Sequence, residues 1–282
     1  MARYAAWVGF VVTVVLVVGC EPVKELPTDV PKVDRAPTLP QVTPNKSEPA
    51  AKAIVDRAVL ALTGGKPELL AKGKVSRANL KGVRFTRDTA TQWTEVNRTV
   101  AAVWPDRVYA AEDFQAQNNK VVIEGWLRRP EMIVFNNGVP HPHANPTERE
   151  QNFASDEVGQ HWMALLIPAT DPKAVLFDSQ SVESDRRMLR LVKLALGAYP
   201  TYHLTFDGKT DALLRVEYAV TEFGSPRLTT MIYSDHKPGP EGLVLPYKFE
   251  CLHNGVAVER LTVEKWELPA AIKDEEFSPP KK

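Results

Sequence analysis

The chain has 282 residues, of which 44% are hydrophobic and 25% are charged. Its 35 Lys and Arg residues balance its 35 Asp and Glu residues, and no long basic run occurs. This argues against nucleic-acid binding, because affinity for a phosphate backbone comes from clustered Lys and Arg.

Residues 1–19 have the organisation of a signal peptide. A short segment with Arg3 precedes an apolar run from Ala5 to Val18, and Gly19 then leads to Cys20. A helix that spans a membrane needs about 20 apolar residues, and this run is shorter and is followed by a polar, proline-rich stretch. A removable signal peptide is therefore favoured over a permanent transmembrane anchor.

The segment Leu16-Val17-Val18-Gly19-Cys20 resembles the lipobox of bacterial lipoproteins, which usually have Leu at the position of Val17. The resemblance implies cleavage before Cys20 and attachment of two or three acyl chains, palmitate among them, which together form a durable membrane anchor. It also implies a protein of the bacterial cell envelope that faces the periplasm. Glu21 does not indicate which membrane, and an ordinary secretory signal with an incidental cysteine is the alternative.

Residues 20–50 are rich in proline and poor in residues that form a core. Such segments act as extended spacers, so we expect a flexible linker that follows the lipidated cysteine. Residues 51–282 are expected to form a single β-rich domain. Cys251 has no partner for a disulfide within the chain once Cys20 is acylated.

The domain is predicted to open with a helix over residues 53–62, where Ile54, Ala58 and either Ala61 or Leu62 recur on one face before Gly64-Gly65 ends it. Alternating apolar runs then predict strands at 74–80, 83–89, 99–104, 107–112, 120–127 and 132–135. A second helix is predicted to start at Asn145, and propensity allows a further helical segment over residues 171–176.

The C-terminal half is predicted to be a meander of strands at 188–196, 201–206, 213–221, 228–234, 245–251 and 256–268. Turn sequences such as Asn254-Gly255 connect them. Alternation directs Tyr247, Phe249 and Cys251 to one face, which makes Cys251 a buried core thiol. The fold class is therefore α+β, mainly β: a large curved antiparallel sheet that forms an incomplete β-barrel covered by a few helices.

Several turns and strand ends of this half resemble the LolA/LolB-like superfamily of periplasmic lipoprotein carriers. They are Phe206-Asp207-Gly208-Lys209-Thr210 before the strand at 213–218, Tyr233-Ser234-Asp235, Gly242-Leu243-Val244-Leu245-Pro246 and Phe277-Ser278-Pro279-Pro280. The resemblance implies an incomplete barrel with a helical lid, whose concave apolar face binds acyl chains or other hydrophobic ligands.

Five aromatic residues on the predicted strands are candidates for lining a hydrophobic cavity, since barrel mouths often bind apolar ligands. They are Trp93, Trp104, Trp126, Phe135 and Tyr218. Ordinary core packing is the alternative for each of them, because large aromatic residues also dominate cores.

No catalytic or metal site is predicted. Ser234-Asp235-His236-Lys237 contains the residue types of a triad, but consecutive strand residues point to opposite faces and cannot converge. His141 and His143, with Glu148 or His161, lack a diagnostic zinc spacing. Asp207 and Asp211 fit a hairpin turn better than a calcium loop.

The sequence thus predicts a non-enzymatic, membrane-tethered envelope lipoprotein without a cofactor, whose half-barrel binds a lipid or lipoprotein acyl chain. The alternative is an interaction, scaffold or stress-sensing protein that uses the same fold with a filled core and recognises another envelope protein. An envelope hydrolase is the least supported hypothesis.

Overall fold

The computed structural model describes residues 43–85, 93–116, 119–142 and 145–279. The predicted signal peptide, Cys20, most of the linker and His143 lie outside the described residues. Among the described residues, the helices are too short or too polar to cross a membrane.

In the described ranges, thirteen strands form one sheet in which every pairing is antiparallel. The strands are β1 (Val75–Phe85), β2 (Trp93–Val103), β3 (Arg107–Ala116), β4 (Asn119–Arg128), β5 (Glu131–Asn136), β6 (Val139–Pro140), β7 (Ala174–Ser184), β8 (Arg187–Leu196), β9 (Tyr202–Asp207), β10 (Leu213–Glu222), β11 (Ser225–Pro238), β12 (Val244–His253) and β13 (Val256–Glu267).

The sheet consists of two meanders, β1 to β6 and β7 to β13, which are joined where β1 pairs with β13. The described parts of β6 and β7 form its two ends and do not pair with each other, so the barrel stays open. The predicted fold class, a large curved sheet covered by helices, is confirmed.

Two hairpin turns show how the sequence sets the strand register. Asn137-Gly138 and Asn254-Gly255 both have positive φ, at 50° and 74° in the first pair and 50° and 80° in the second. Such turns match the right-handed twist of the flanking strands and favour Asn-Gly. The side chain of Asn254 also accepts a hydrogen bond from the backbone N–H of Leu228, at 2.9 Å, which ties this turn to β11.

Helix α1 (Pro49–Leu62) packs its apolar face against β7 and β8. It starts four residues before the predicted helix, with proline in its first turn. Ser47 and Glu48, which the sequence placed in the flexible linker, are hydrogen-bonded to β7: the Glu48 N–H donates to the Leu176 carbonyl at 2.8 Å. The end of the predicted linker therefore covers part of an edge strand.

The predicted start of the second helix is confirmed. Helix α2 (Pro146–Glu157) begins after Asn145, whose side chain accepts the Glu148 N–H at 3.2 Å. A π-helical turn, Val158–Trp162, and two short 3-10 turns carry the chain on to Thr170. We call residues Ala154–Ala169 the plug, because all of them except Asp156 and Gln160 are buried.

The plug crosses the concave face of the sheet, since it must connect β6 at one end of the strand order to β7 at the other. Trp162, Met163 and Leu165 are completely buried in one hydrophobic cluster that includes strands of both meanders. The interior of the half-barrel is therefore filled largely by this connection.

Two predictions about secondary structure were wrong. Residues 171–176 are not helical: the Asp171 side chain accepts the Lys173 N–H at 2.9 Å, and β7 starts at Ala174 to pair with β8. The predicted strand 74–80 and the described part of the predicted strand 83–89 form one strand, β1, while residues 86–89 lie outside the described residues. It continues through Gly82, where a Cβ would lie 1.9 Å from the Arg260 carbonyl oxygen, so the absent side chain permits a close backbone approach.

Candidate ligand cavity

A cavity of about 340 Å³ lies between α1, the plug, the start of β8 and the strands β10 to β12. Its size is at the lower end of the range typical of small-molecule sites. The residues that line it are Ala58, Ala61, Leu62, Ala164, Leu166, Arg187, Thr210, Ala212, Leu213, Leu214, Tyr233, His236, Val244 and Pro246.

Most of the cavity wall is apolar, and its polar groups lie at one end. Arg187 and His236 are half-buried there, and Thr210 is exposed in the β9–β10 turn. The cavity therefore reaches the surface at this turn, with an apolar interior behind a polar mouth.

Arg187 is held in place by Asp207, the last residue of β9. The Arg187 Nε–H donates to Asp207 Oδ2 at 2.5 Å, and the other oxygen of this carboxylate accepts the backbone N–H groups of Lys209 and Thr210 at 2.8 and 2.6 Å. Burial tends to raise the pKa of Asp207, but these hydrogen bonds outweigh it and the pKa is lowered. The carboxylate is thus a fixed, ionised partner for the guanidinium.

His236 follows Asp235, whose backbone φ of 56° interrupts the regular alternation of side chains along β11. The register with β12 is continuous here, since Ser234 pairs with Lys248 and His236 with Pro246. Tyr233 and His236 both line the cavity. Burial lowers the pKa of His236, so the imidazole is neutral at neutral pH.

Polar bonds from the strands hold the plug beside this cavity. The Tyr202 and Tyr233 hydroxyls donate to the backbone carbonyls of Ser155 and Gly159, the first at 3.1 Å. The Tyr218 hydroxyl donates to the Asp156 carboxylate at 2.7 Å. These three bonds tie the plug to β9, β10 and β11.

A buried charge cluster lies on the other side of the plug. Arg98 on β2 donates to Glu157 at 2.6 Å and to Gln160 at 2.7 Å, and it lies 3.4 Å from Glu259. Burial lowers the pKa of Arg98, but the surrounding carboxylates outweigh burial and raise it overall. Burial and the neighbouring Glu112 raise the pKa of Glu259 to about 7.

His161 lies next to this cluster and is fully enclosed. Its Nε2 is 2.9 Å from the Ser76 hydroxyl, and burial, together with the charge of Arg98, lowers its pKa to about 3. A space of about 10 Å³ between His161, Arg98 and Glu259 is the size of one water molecule. This region is therefore tightly packed and polar, unlike the cavity beside α1.

None of the five predicted aromatic residues lines the 340 Å³ cavity. Trp104 and Tyr218 belong to the interior cluster, where the Trp104 indole donates to Asp171 at 2.9 Å. Trp126 contacts Phe135 edge to face, with their ring centres 5.4 Å apart, on the face opposite the core residue Leu127.

Trp93 is half-buried, with the Arg260 guanidinium 5.1 Å above its ring. The lining residues that sequence reasoning missed are small or aliphatic, apart from Arg187, Tyr233 and His236. Ala58 and either Ala61 or Leu62 were predicted on the core face of α1, but no sequence signal separates a cavity wall from packed core. His236 was considered only as a member of a triad.

The other residues weighed as sites do not converge. Ser234 pairs with the exposed Lys248 while His236 faces the cavity. His141 is exposed, and the described residues contain no group of three or more His, Cys, Asp or Glu side chains placed to hold a metal ion. Asp207 forms the β9–β10 turn, and Asp211 pairs with Arg190. Cys251 is buried, as predicted.

Neither a protein-family model nor a curated protein matches the sequence. Solved structures do match the fold. A LolA superfamily protein from Nitrosomonas europaea is 12% identical, with a TM-score of 0.51 over 84% of this chain and 98% of that one. A Vibrio parahaemolyticus protein, described as an outer membrane lipoprotein-sorting protein domain, is 9% identical, with a TM-score of 0.47 over 80% and 97%.

A DUF1329 family protein from Desulfovibrio piger is 11% identical, with a TM-score of 0.45 over 81% of this chain and 97% of that one. At these identities a structural likeness shows the fold alone. The Nitrosomonas protein shows that this chain has a LolA-like fold over most of its length.

Proposed function

We propose that the chain is a non-enzymatic lipoprotein of the bacterial envelope, tethered to a membrane through Cys20, whose half-barrel binds a hydrophobic ligand such as an acyl chain. The observation that carries this proposal is the cavity of about 340 Å³ beside α1, which is apolar inside and reaches the surface at Thr210. Apolar pockets with a few polar groups at one end are typical binding sites for such ligands.

The lipobox resemblance supports the tether through Cys20, and the LolA-like fold supports the envelope location. Hydrogen bonds from Tyr202, Tyr218 and Tyr233 hold the plug in place beside the cavity. A ligand therefore enters a preformed space and does not displace the plug. His236 lines the cavity and Ser234 does not, which supports a binding role over a hydrolytic one.

Uptake of a fluorescent fatty-acyl probe tests the binding role. The chain from residue 20 onward, with Cys20→Ser to remove the lipid acceptor, is expected to bind the probe saturably at about one molecule per chain. Ala61→Phe fills the cavity from α1 and is expected to weaken binding at least tenfold, because the ring occupies the space of the ligand.

Leu60→Phe is the matched control, since Leu60 is the preceding residue of the same helix and is 46% exposed. Its binding is expected to equal that of the parent chain. Equal binding by the Ala61→Phe variant, or no saturable uptake by the parent chain, contradicts the proposal.

A second candidate function is an interaction or scaffold protein that recognises another envelope protein. The plug favours this function, because its fully buried residues Trp162, Met163 and Leu165 fill the middle of the concave face. In that case crosslinking in cells identifies a specific protein partner, and the purified chain takes up no acyl probe.

A further inference from the structure

The charged groups at the mouth of the cavity favour an anion. Arg187 and His236 line the cavity, and none of the described lining residues is Asp or Glu. Arg187 is the charged side chain of this lining, whereas Arg57 and Arg190, which both pair with Asp211, do not line the cavity. The cavity wall itself therefore contributes a positive charge at the mouth.

Arg187 is suited to receive a negatively charged group. A guanidinium has five N–H donors in a fixed plane, and the bond from Nε to Asp207 sets the orientation of that plane at the cavity wall. Charge-assisted bonds from arginine to carboxylate or phosphate are stronger than neutral ones. Neutral His236 adds a polar group next to it.

The size of the cavity limits the apolar part of the ligand. At about 340 Å³, with the plug buried on one side and α1 on the other, it has room for one alkyl chain rather than for the two or three of a bilayer lipid or lipoprotein. The small side chains of Ala58, Ala61 and Ala164 leave this space open.

We propose that the cavity binds an amphiphile with a single alkyl chain and an anionic head, a carboxylate or a phosphate monoester, and that Arg187 holds the head. The chain lies between α1 and the strands β10 to β12, and the head lies at the mouth near Thr210. This rests on the proposed function, since it assigns the ligand class of the same cavity.

Displacement of the fluorescent fatty-acyl probe by three single-chain compounds tests the head group. Dodecanoate and dodecyl phosphate are expected to displace the probe at concentrations roughly tenfold below those of dodecanol, because a charge-assisted bond is worth about that factor. A stronger effect of dodecanoate identifies a fatty acid as the ligand, and a stronger effect of dodecyl phosphate identifies a phosphate-bearing lipid.

Arg187→Gln is expected to remove the difference between dodecanoate and dodecanol. Arg190→Gln is the matched control, because Arg190 is on the same strand and also pairs with an aspartate of the β9–β10 turn but does not line the cavity. The control is expected to keep the full difference. Thermal unfolding of both variants verifies that they are folded.

The comparison of dodecanoate with dodecanol on the parent chain does not depend on any variant. Equal displacement by the two compounds overturns the anionic head and leaves acyl binding intact. Failure of the parent chain to take up the probe overturns the proposed function itself. Preference for a two-chain phosphatidic acid over dodecyl phosphate overturns the single-chain assignment.

Discussion

His161 illustrates how burial by the plug determines the chemistry of single residues. Its ring is enclosed by Ser76, Arg98 and the Trp266 ring, whose centre is 5.3 Å from that of the imidazole. A positive charge at this position is disfavoured by the low polarity of the surroundings and by the guanidinium. His161 is therefore a neutral hydrogen-bonding residue of the core.

This burial predicts acid sensitivity. The folded pKa of about 3 lies below the ordinary value of 6.5, so the unfolded chain takes up the proton first and stability is lost as the pH falls from 6.5 toward 3. At about pH 5 the loss due to this residue is about 2 kcal/mol. Urea denaturation of the parent chain and of His161→Gln, near pH 7 and near pH 5, measures it.

Between pH 7 and pH 5, the unfolding free energy of the parent chain is expected to fall by about 2 kcal/mol more than that of the His161→Gln variant. The control is His141→Gln, because His141 is exposed and its replacement is expected to give no pH-dependent difference. A stability difference between the parent and His161→Gln that does not change with pH contradicts the assignment.

For single residues, the sequence predicted burial within one strand but not the partners of charged side chains. Cys251 was placed correctly in the core, because alternation along one strand is a local pattern. The roles of Arg98, Arg187 and His161 were not predictable, because their partners lie on elements that are distant in the sequence. Only the three-dimensional fold brings Glu157 to Arg98 and Asp207 to Arg187.

Among the elements, the pairing of β1 with β13 has the largest consequence for the fold. It is the pairing that joins the two meanders, and the register shifts within it between Asn79 and Leu80. Gly82 lies within this pairing, at a point where the β13 backbone occupies the space that a Cβ atom would need.

Gly82→Ala is therefore expected to destabilise the protein, on the order of 3 kcal/mol, because the new methyl group collides with the Arg260 carbonyl and the strands must separate. Thermal unfolding measures the effect. Lys81→Ala, on the exposed neighbouring residue, is expected to change the unfolding free energy by less than about 1 kcal/mol. Equal melting temperatures for the two variants contradict the close approach.

Elements with strong local signals were predicted well, and those determined by distant contacts were not. The start of α2 was predicted because the Asn145 cap and Pro146 are local features. β7 was missed because residues 171–176 have no clear alternation, and pairing with β8 overrides their helical propensity. The continuation of β1 through Gly82 was missed because the contact of Gly82 with β13 joins residues 178 positions apart in the chain.

For the whole molecule, the curved sheet could be predicted from the many hairpin turns in the sequence, whereas the cavity could not be predicted. Turn residues such as Asn254-Gly255 are visible in the sequence, and they require neighbouring strands to pair. The cavity depends on how far the plug fills the concave face, and that is set by packing among many side chains rather than by any motif.

The tether is a property of the whole protein and has its own test. Metabolic labelling with an alkyne analogue of palmitate is expected to mark the parent chain in the membrane fraction, and Cys20→Ser is expected to abolish the label. Cys251→Ser is the matched control, because Cys251 is buried and is not the predicted acceptor. Label that persists in the Cys20→Ser variant, or that is lost in Cys251→Ser, contradicts lipidation at Cys20.

Acyl binding in the cavity beside α1 is tested most directly by a crystal structure of the Cys20→Ser chain, from residue 20 onward, with saturating dodecanoate. The prediction is one alkyl chain between Ala61 and Tyr233, with its carboxylate next to Arg187. An empty cavity at saturation, or an alkyl chain bound only elsewhere on the protein, contradicts it.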